Sequence, residues 1–127
     1  MPITRVYFYQ DADGRAPVRE WLRELRLEDA RGHEKCVARI EHLAELGHEL
    51  RRPEADTLRD GVHELRARRG TVNYRILYFF CLFKGKNAVV LAHALAKGGV
   101  VPRADIERAL ERKARVTRDP MTHLHAD

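Results

Sequence analysis

Arginine side chains interrupt a segment, residues 62–81, that otherwise predicts two strands joined by a tight turn. Arg66 and Arg68 share one face of the first strand, because side chains alternate between the two faces of a strand. Arg75 is the only charged residue of the second strand. A charge in the middle of a strand is costly to bury without a partner. Arg75 therefore either pairs with an internal carboxylate such as Glu64 or opens onto a site that binds anions.

Histidine and cysteine positions predict neither a metal site nor a cofactor site. His33, His42 and His48 are separated by nine and six residues, and these spacings do not place three ligands on one face of a helix. Cys36 and Cys81 fit no metal-binding spacing, and each lies in an apolar pattern. We therefore expect both thiols to be reduced and buried, as is usual in the cytoplasm.

Length and charge restrict the class of protein. A chain of 127 residues is the size of one domain, and its net charge of +5 favours an acidic partner, either nucleic acid or an acidic protein. The sequence contains no run of roughly 18 apolar residues, so we expect no membrane-spanning segment. The N-terminus lacks a long apolar signal core, and we expect a cytoplasmic protein.

The order of the predicted elements places the basic residues in one sheet. In chain order the predicted elements are strand 3–10, a helix that begins at Pro17, a helix over 33–46, a connecting loop over 49–57, strands 62–68, 71–81 and 88–95, and a helix that begins at Pro102. Helices followed by a run of strands indicate an α+β fold. We expect one domain over residues 1–115 and a flexible C-terminal tail over 116–127.

Two motifs at a defined spacing resemble the RelE/ParE toxin superfamily, and within it the phage-derived group of the HigB branch. They are D-G-x-x-E-L-R at 60–66 and Y-R-x-x-Y-F at 74–79. The pattern continues with the strand that ends before Lys97 and with the helix after Pro102. The resemblance implies a small twisted antiparallel sheet, with two N-terminal helices packed on one face and a C-terminal helix.

The resemblance also implies a function. It indicates the toxin of a type II toxin–antitoxin pair that cleaves mRNA on the translating ribosome and is inhibited by a helix-turn-helix, HigA-like antitoxin. Members of the ParE branch share the fold but poison gyrase, so the fold alone does not settle the function.

Metal-independent RNA cleavage uses the 2′-hydroxyl as nucleophile and needs cations at the phosphate, where negative charge develops. The planar guanidinium of arginine stays charged and can bind two phosphate oxygens. By position in the motifs, the resemblance implies that Arg75 stabilises the phosphate, followed by Arg66 and then Lys97. The candidate residues for RNA binding are Arg59, His63, Arg68 and Arg69.

His93, His63 and Tyr78 are the remaining candidates for a general acid or base. His93 shares a strand face with Leu91 and Leu95, which favours a histidine satisfied within the core. The parity of Tyr78 likewise favours the core.

Two positions depart from the pattern of the superfamily. A second basic residue often follows the lysine and an aromatic residue often precedes it, whereas this chain has Gly98 and Leu95 there. A catalytically weak or inactive module that binds RNA or an acidic antitoxin segment is therefore the alternative prediction, and a gyrase poison is the third.

Overall fold

A computed structural model describes residues 4–96 and 98–126 of the chain. Its elements are β1 (Arg5–Tyr9), α1 (Pro17–Glu28), α2 (Ala30–Leu46), a single 3₁₀ turn (Gly47–Glu49), β2 (Ala55–Arg59), β3 (Val62–Arg69), β4 (Val72–Phe83), β5 (Lys86–Ala96), α3 (Arg103–Arg118), α4 (Pro120–His123) and β6 (Leu124–Ala126). No helix within the described ranges is both long and apolar enough to cross a bilayer.

The six strands form one mixed sheet in the order β2-β3-β4-β5-β1-β6. β1 pairs in parallel with β5, through Val6 opposite Val89, and the other pairs of strands are antiparallel. The prediction of an antiparallel sheet was therefore wrong. After β1 and the two helices, the chain enters the sheet at the opposite edge as β2, which runs opposite to β1. Each of the next three strands reverses direction, so β5 runs in the same direction as β1.

Two segments form strands where the sequence predicts irregular chain. The predicted loop over 49–57 contains the start of β2, which becomes an edge strand beside β3. The segment predicted as a flexible tail forms the end of α3, then α4 and β6. β6 is antiparallel to β1, with Phe8 opposite His125. It covers the edge of β1 that would otherwise be open.

Helices cover both faces of the sheet. Pro17 occupies the first turn of α1, where proline is favoured, and Val18, Leu22 and Leu25 are its buried side chains. These side chains and those of α2 pack on one face of the sheet, as the resemblance implied. On the opposite face, α3 packs Ala109 against a second apolar cluster that includes strand residues of β4 and β5.

Side chains of α2 bind the part of β3 that extends beyond β2. Arg39 Nε donates to the carbonyl of Arg66 at 2.9 Å, and Lys35 Nζ donates to the carbonyl of Arg68 at 3.0 Å. The amide of Arg66 donates to the carbonyl of Glu54 at 2.7 Å. These contacts satisfy backbone groups at an edge that has no strand partner, and they bring Arg39 close to the basic end of β3.

Candidate functional site

The β3–β4 ladder places Arg66 directly opposite Arg75. Directly opposed side chains of antiparallel strands have Cβ atoms about 5 Å apart, and like charges in this position repel each other. Glu64 lies opposite Leu77 in the same ladder and so shares a sheet face with both arginines. This register therefore places a carboxylate beside both guanidinium groups, and its negative charge offsets their repulsion.

Glu64 is the carboxylate between the two arginines, and its residue is only 3% exposed. Its Oε1 accepts a 2.8 Å hydrogen bond from Arg66 Nε and lies 3.7 Å from Arg75 Nε. Arg66 Nη2 also donates to Asp56 Oδ2 at 3.2 Å. Its hydrogen bond to Glu64 raises the pKa of Arg66 above the ordinary arginine value. Arg66 is therefore held by two carboxylates.

Arg75 is less completely paired. Its side chain is 12% exposed, and its Nε is buried without a hydrogen-bond partner among the described residues. The sequence left open whether Arg75 pairs with an internal carboxylate or opens onto a site that binds anions, and the structure fits each in part. Arg75 lies near Glu64, yet it keeps donor capacity for another acceptor.

A cavity of about 300 Å³ lies beside this pair, and we call it the arginine cavity. Its lining residues are Arg39, Pro53, Arg66, Ala67, Arg68, Asn73, Tyr74 and Arg75. Four of these eight described residues are arginine and none is acidic. Cavities of about 300 Å³ and above are of the size that holds small ligands, and this lining suits an anion such as a phosphate group.

Arg68 belongs to the arginine cavity and Arg69 does not. Arg68 is exposed, lines the cavity and donates to the carbonyl of Gly70 at 2.9 Å. Arg69 projects from the opposite face of β3, and its Nε lies 2.9 Å from Asp29 Oδ1. The alternation of side chains along β3 thus separates two neighbouring arginines that the sequence grouped together.

Arg59, a further predicted residue, does not line the arginine cavity. Arg59 lies at the other end of β2, with its Nε 3.5 Å from Asp60 Oδ2. Lys97 lies outside the described residues. Its predicted role therefore stays a prediction.

His93 lies opposite Leu77, two register positions from Arg75 along the β4–β5 ladder. Its Nε2 is 2.6 Å from Asp105 Oδ1, and its Nδ1 is 3.4 Å from Arg112 Nη1. Burial lowers the pKa of His93 below its ordinary value. A neutral ring that donates from Nε2 and accepts at Nδ1 satisfies both partners. With both ring nitrogens engaged, this arrangement favours a structural role for His93.

His63 lies on the opposite face of the sheet, in a second cavity of about 620 Å³. Its Nδ1 is 3.1 Å from Thr57 Oγ1, and its ring stacks on Tyr78 with centroids 5.3 Å apart. Burial lowers the pKa of His63 and raises that of Tyr78 to about 12. His63 is therefore separated by the sheet from the arginine pair.

Arg39, Asp56 and Arg112 complete the site and its surroundings, and the sequence reasoning missed them. Lys35 and Arg39 are four residues apart, a spacing that places both on one face of α2, and this spacing was a usable signal. Arg112 is 7% exposed and donates to the carbonyl of Ala92 at 2.7 Å. Its spacing of three residues from Ala109 and four from Val116 places it on the buried face of α3, and this spacing was a usable signal.

A family model described as Phage derived protein Gp49-like (DUF891) matches residues 20–114, which is well over half of the chain and includes the arginine cavity. A search of curated proteins found no match to the chain. The chain therefore belongs to the phage-derived Gp49-like family, which is part of the RelE/HigB-like toxin family and whose members are commonly toxins of toxin–antitoxin systems.

Proposed function

We propose that this protein is a toxin of the HigB type that cleaves mRNA on the translating ribosome without a metal ion, and that a helix-turn-helix antitoxin holds it inactive. Membership of the Gp49-like family supports the toxin role. The observation that carries the proposed nuclease activity is the arginine cavity, in which Arg66 and Arg75 face each other and no described lining residue is acidic.

An RNA phosphate fits the charge balance of this cavity. Glu64 is shared by Arg66 and Arg75, and Asp56, the second carboxylate at Arg66, is shared with Arg52. Three guanidinium groups are therefore balanced by two carboxylates. Arg75 Nε has no hydrogen bond among the described residues. A phosphate group in the cavity would accept hydrogen bonds from the guanidinium of Arg75 and would reduce the repulsion across the ladder.

In the proposed reaction, the 2′-hydroxyl oxygen forms a bond to phosphorus while the bond from phosphorus to the 5′ oxygen breaks. The products are a 2′,3′-cyclic phosphate and a free 5′-hydroxyl group. Negative charge increases on the phosphoryl oxygens in the transition state, and the guanidinium groups of Arg75 and Arg66 stabilise it there. Fixed donors of this kind lower the barrier because they need no reorganisation during the reaction.

The arginine cavity has no evident proton-transfer group among its described residues. Histidine and carboxylate side chains are absent from that lining. Tyr74 lines the cavity, but its hydroxyl donates to Asp29 Oδ2 at 2.6 Å, and this hydrogen bond raises the pKa of Tyr74 to about 12. We therefore propose that the ribosome or solvent accepts the 2′-hydroxyl proton and protonates the leaving oxygen. This accounts for a reaction that depends on the ribosome.

A module that binds RNA or an acidic antitoxin segment without cleavage is the second candidate function. It is favoured by the two carboxylates that already hold Arg66, and by Gly98 at the position where related chains often have a second basic residue. Such a module would bind RNA with a steep dependence on salt and release no cleaved product.

Controlled expression in bacteria separates these functions. We expect growth and translation to stop and mRNA to be cut within translated regions, as mapped by primer extension. Arg75→Ala should relieve the arrest, whereas Arg103→Ala, at an 81% exposed side chain of α3, should not. Normal growth with folded protein present would contradict the toxin proposal. DNA damage signalling with intact mRNA would instead identify a gyrase poison.

The neighbouring reading frame offers an independent test of the partner. We expect a short adjacent gene that encodes a helix-turn-helix protein, and we expect its co-expression to restore growth. Failure of every adjacent gene to restore growth would contradict the proposed antitoxin.

A further inference from the structure

The second cavity lies on the sheet face that α1 and α2 cover, just beyond the C-terminal end of α2. Its volume is about 620 Å³, about twice that of the arginine cavity. The 3₁₀ turn, the loop before β2, and strands β2, β3 and β4 all contribute to its lining. We call it the histidine cavity, after His48 and His63. The proposed reaction makes no use of it.

Stacked rings form one wall of the histidine cavity. His48 stacks on Phe80 with ring centroids 3.7 Å apart and an angle of 25° between the ring planes. His63 stacks on Tyr78 and meets the edge of Phe80 at 5.5 Å. His48 is exposed, and Phe80 covers only one face of its ring. No second aromatic ring among the described residues contacts His48.

Polar groups suited to the edge of a base lie beside this wall. His63 Nδ1 is bound to Thr57, so its Nε2 is the ring nitrogen left for a ligand. The Tyr78 hydroxyl forms no hydrogen bond with any described residue. One ring nitrogen and one hydroxyl can therefore donate to or accept from a planar ligand.

Cations lie at the rim of the same cavity. Arg51 and Arg52 line it, and Asp56 is the one carboxylate among its described lining residues. Arg52 Nη2 lies 2.9 Å from Asp56 Oδ2, and Arg51 Nη1 donates to the carbonyl of His48 at 2.8 Å. Each guanidinium has five N–H donors, so both keep free donors. Two cations against one carboxylate leave the rim positive.

We propose that the histidine cavity binds a nucleotide, with its base stacked on the exposed face of His48 and its phosphate held by Arg51 and Arg52. The base extends the His48–Phe80 stack, and the base edge bonds to His63 and Tyr78. The source of the nucleotide rests on the proposed function, in which it is an unpaired residue of the RNA substrate. Aromatic stacking of this kind accepts every base, and hydrogen bonds at the edge select among them.

The direct test is a titration of the labelled full-length protein, followed by the NMR signals of the His48, His63 and Phe80 rings. The ligands are the four nucleoside monophosphates, adenosine, ribose 5-phosphate and inorganic phosphate. We expect at least one nucleotide to bind about tenfold or more tightly than ribose 5-phosphate, because stacking requires the base. Equal binding of nucleotide and ribose 5-phosphate, or no shift at millimolar nucleotide, would overturn the proposal.

Variants of the histidine cavity test separately which residues bind the base and which bind the phosphate. His48→Ala and Phe80→Leu should each weaken nucleotide binding about fivefold or more, since both remove a ring from the stack. His48 is exposed, so its replacement spares the core if Phe80→Leu unfolds the protein. Arg51→Gln should weaken binding of nucleotide and leave adenosine unchanged. Leu82→Ala, at a 74% exposed position of β4 outside this cavity, is the matched control and should change nothing.

Two further measurements distinguish failure of the nucleotide-binding inference from failure of the nuclease proposal. Arg75→Ala should slow RNA cleavage about 100- to 1,000-fold and leave mononucleotide binding unchanged, so either proposal can fail alone. A single-stranded trinucleotide should bind more tightly than the mononucleotide if RNA is the source. Equal affinities would overturn RNA as the source and assign a free nucleotide. Tighter binding of an acidic aromatic peptide than of any nucleotide would overturn the nucleotide assignment altogether.

Discussion

Arg66 and Arg75 face each other across the β3–β4 ladder, and the buried carboxylate of Glu64 lies beside both. Two cations thus share one buried anion. Asp56 also binds Arg66, through a contact of 3.2 Å between Asp56 Oδ2 and Arg66 Nη2. Arg75 lines the arginine cavity, and its Nε is buried without a hydrogen bond among the described residues. The register of one hairpin therefore creates the positive site on which the proposed function depends.

Substitutions at Arg75 should distinguish the contribution of its positive charge to RNA cleavage from that of its planar guanidinium group. We expect Arg75→Ala to lower the rate of RNA cleavage on ribosomes about 100- to 1,000-fold, as for loss of one fixed donor to a transition state. Arg75→Lys should lose less, about tenfold, because lysine keeps the charge but not the planar fork. Single-turnover cleavage of labelled mRNA measures both. Equal rates for wild type and Arg75→Ala would exclude Arg75 from the reaction.

Removing the charge of Glu64 should lower the stability of the fold and raise the affinity of the protein for RNA. Glu64→Gln weakens a buried hydrogen bond to Arg66, and we expect unfolding to become easier by about 1–3 kcal/mol. The same change frees positive charge, so RNA should bind more tightly and the slope of log affinity against log salt should steepen by about one. Denaturant unfolding and fluorescence anisotropy measure these effects. Glu107→Gln, on the exposed surface of α3, is the control. Unchanged RNA affinity in a folded Glu64→Gln protein would contradict the site.

His93 should make the protein less stable in mild acid. Burial lowers its pKa in the folded state, so the unfolded chain takes up the proton more readily. The stability that His93 contributes is fully present above the unfolded value of about 6.5 and is lost as pH falls below it, through the folded pKa. In His93→Gln, unfolding at pH 7 and pH 5.5 should differ less than in wild type. His63 contributes in the same direction, so some dependence should remain. An identical pH dependence in wild type and His93→Gln would contradict this assignment.

Gly32 should tolerate no side chain. A Cβ atom there would lie 2.6 Å from Tyr74 Cε2 and closer still to Asp29 Oδ2, within the contact that begins α2. We expect Gly32→Ala to destabilise the protein by about 1–3 kcal/mol through overpacking. Gly70→Ala is the comparison, because its site is open and its cost of about 1 kcal/mol comes from a φ of 62° alone. Thermal unfolding gives both values, and equal losses would contradict the steric account.

Truncation after Arg118 should destabilise the sheet. It removes Leu124, which packs against the core on the α3 side, and exposes the edge of β1. We expect a loss of at least about 2 kcal/mol for that apolar burial, and aggregation through the open edge. Unfolding curves and light scattering report the two effects. A truncated protein as stable and monodisperse as the full chain would show that β6 contributes nothing.

The α+β class and the central hairpin could be predicted because they depend on local patterns. Strand alternation placed Arg66 and Arg68 on one face, and Gly70 occupies the turn with a positive φ. The apolar stripe from Val18 to Leu25 located α1. The parallel direction of β1 could not be predicted, because nothing within residues 5–9 specifies which strand lies beside them.

The amino-acid sequence by itself determined which side chains of β3 and β4 share a face, since that depends only on the two-residue period of a strand. Tertiary structure alone decided that Arg39 of α2 joins Arg66, Arg68 and Arg75 around one cavity, and that the turn after α2 brings His48 beside His63 in another. Contacts between distant segments set these positions, and each such contact depends on how whole helices pack on the sheet.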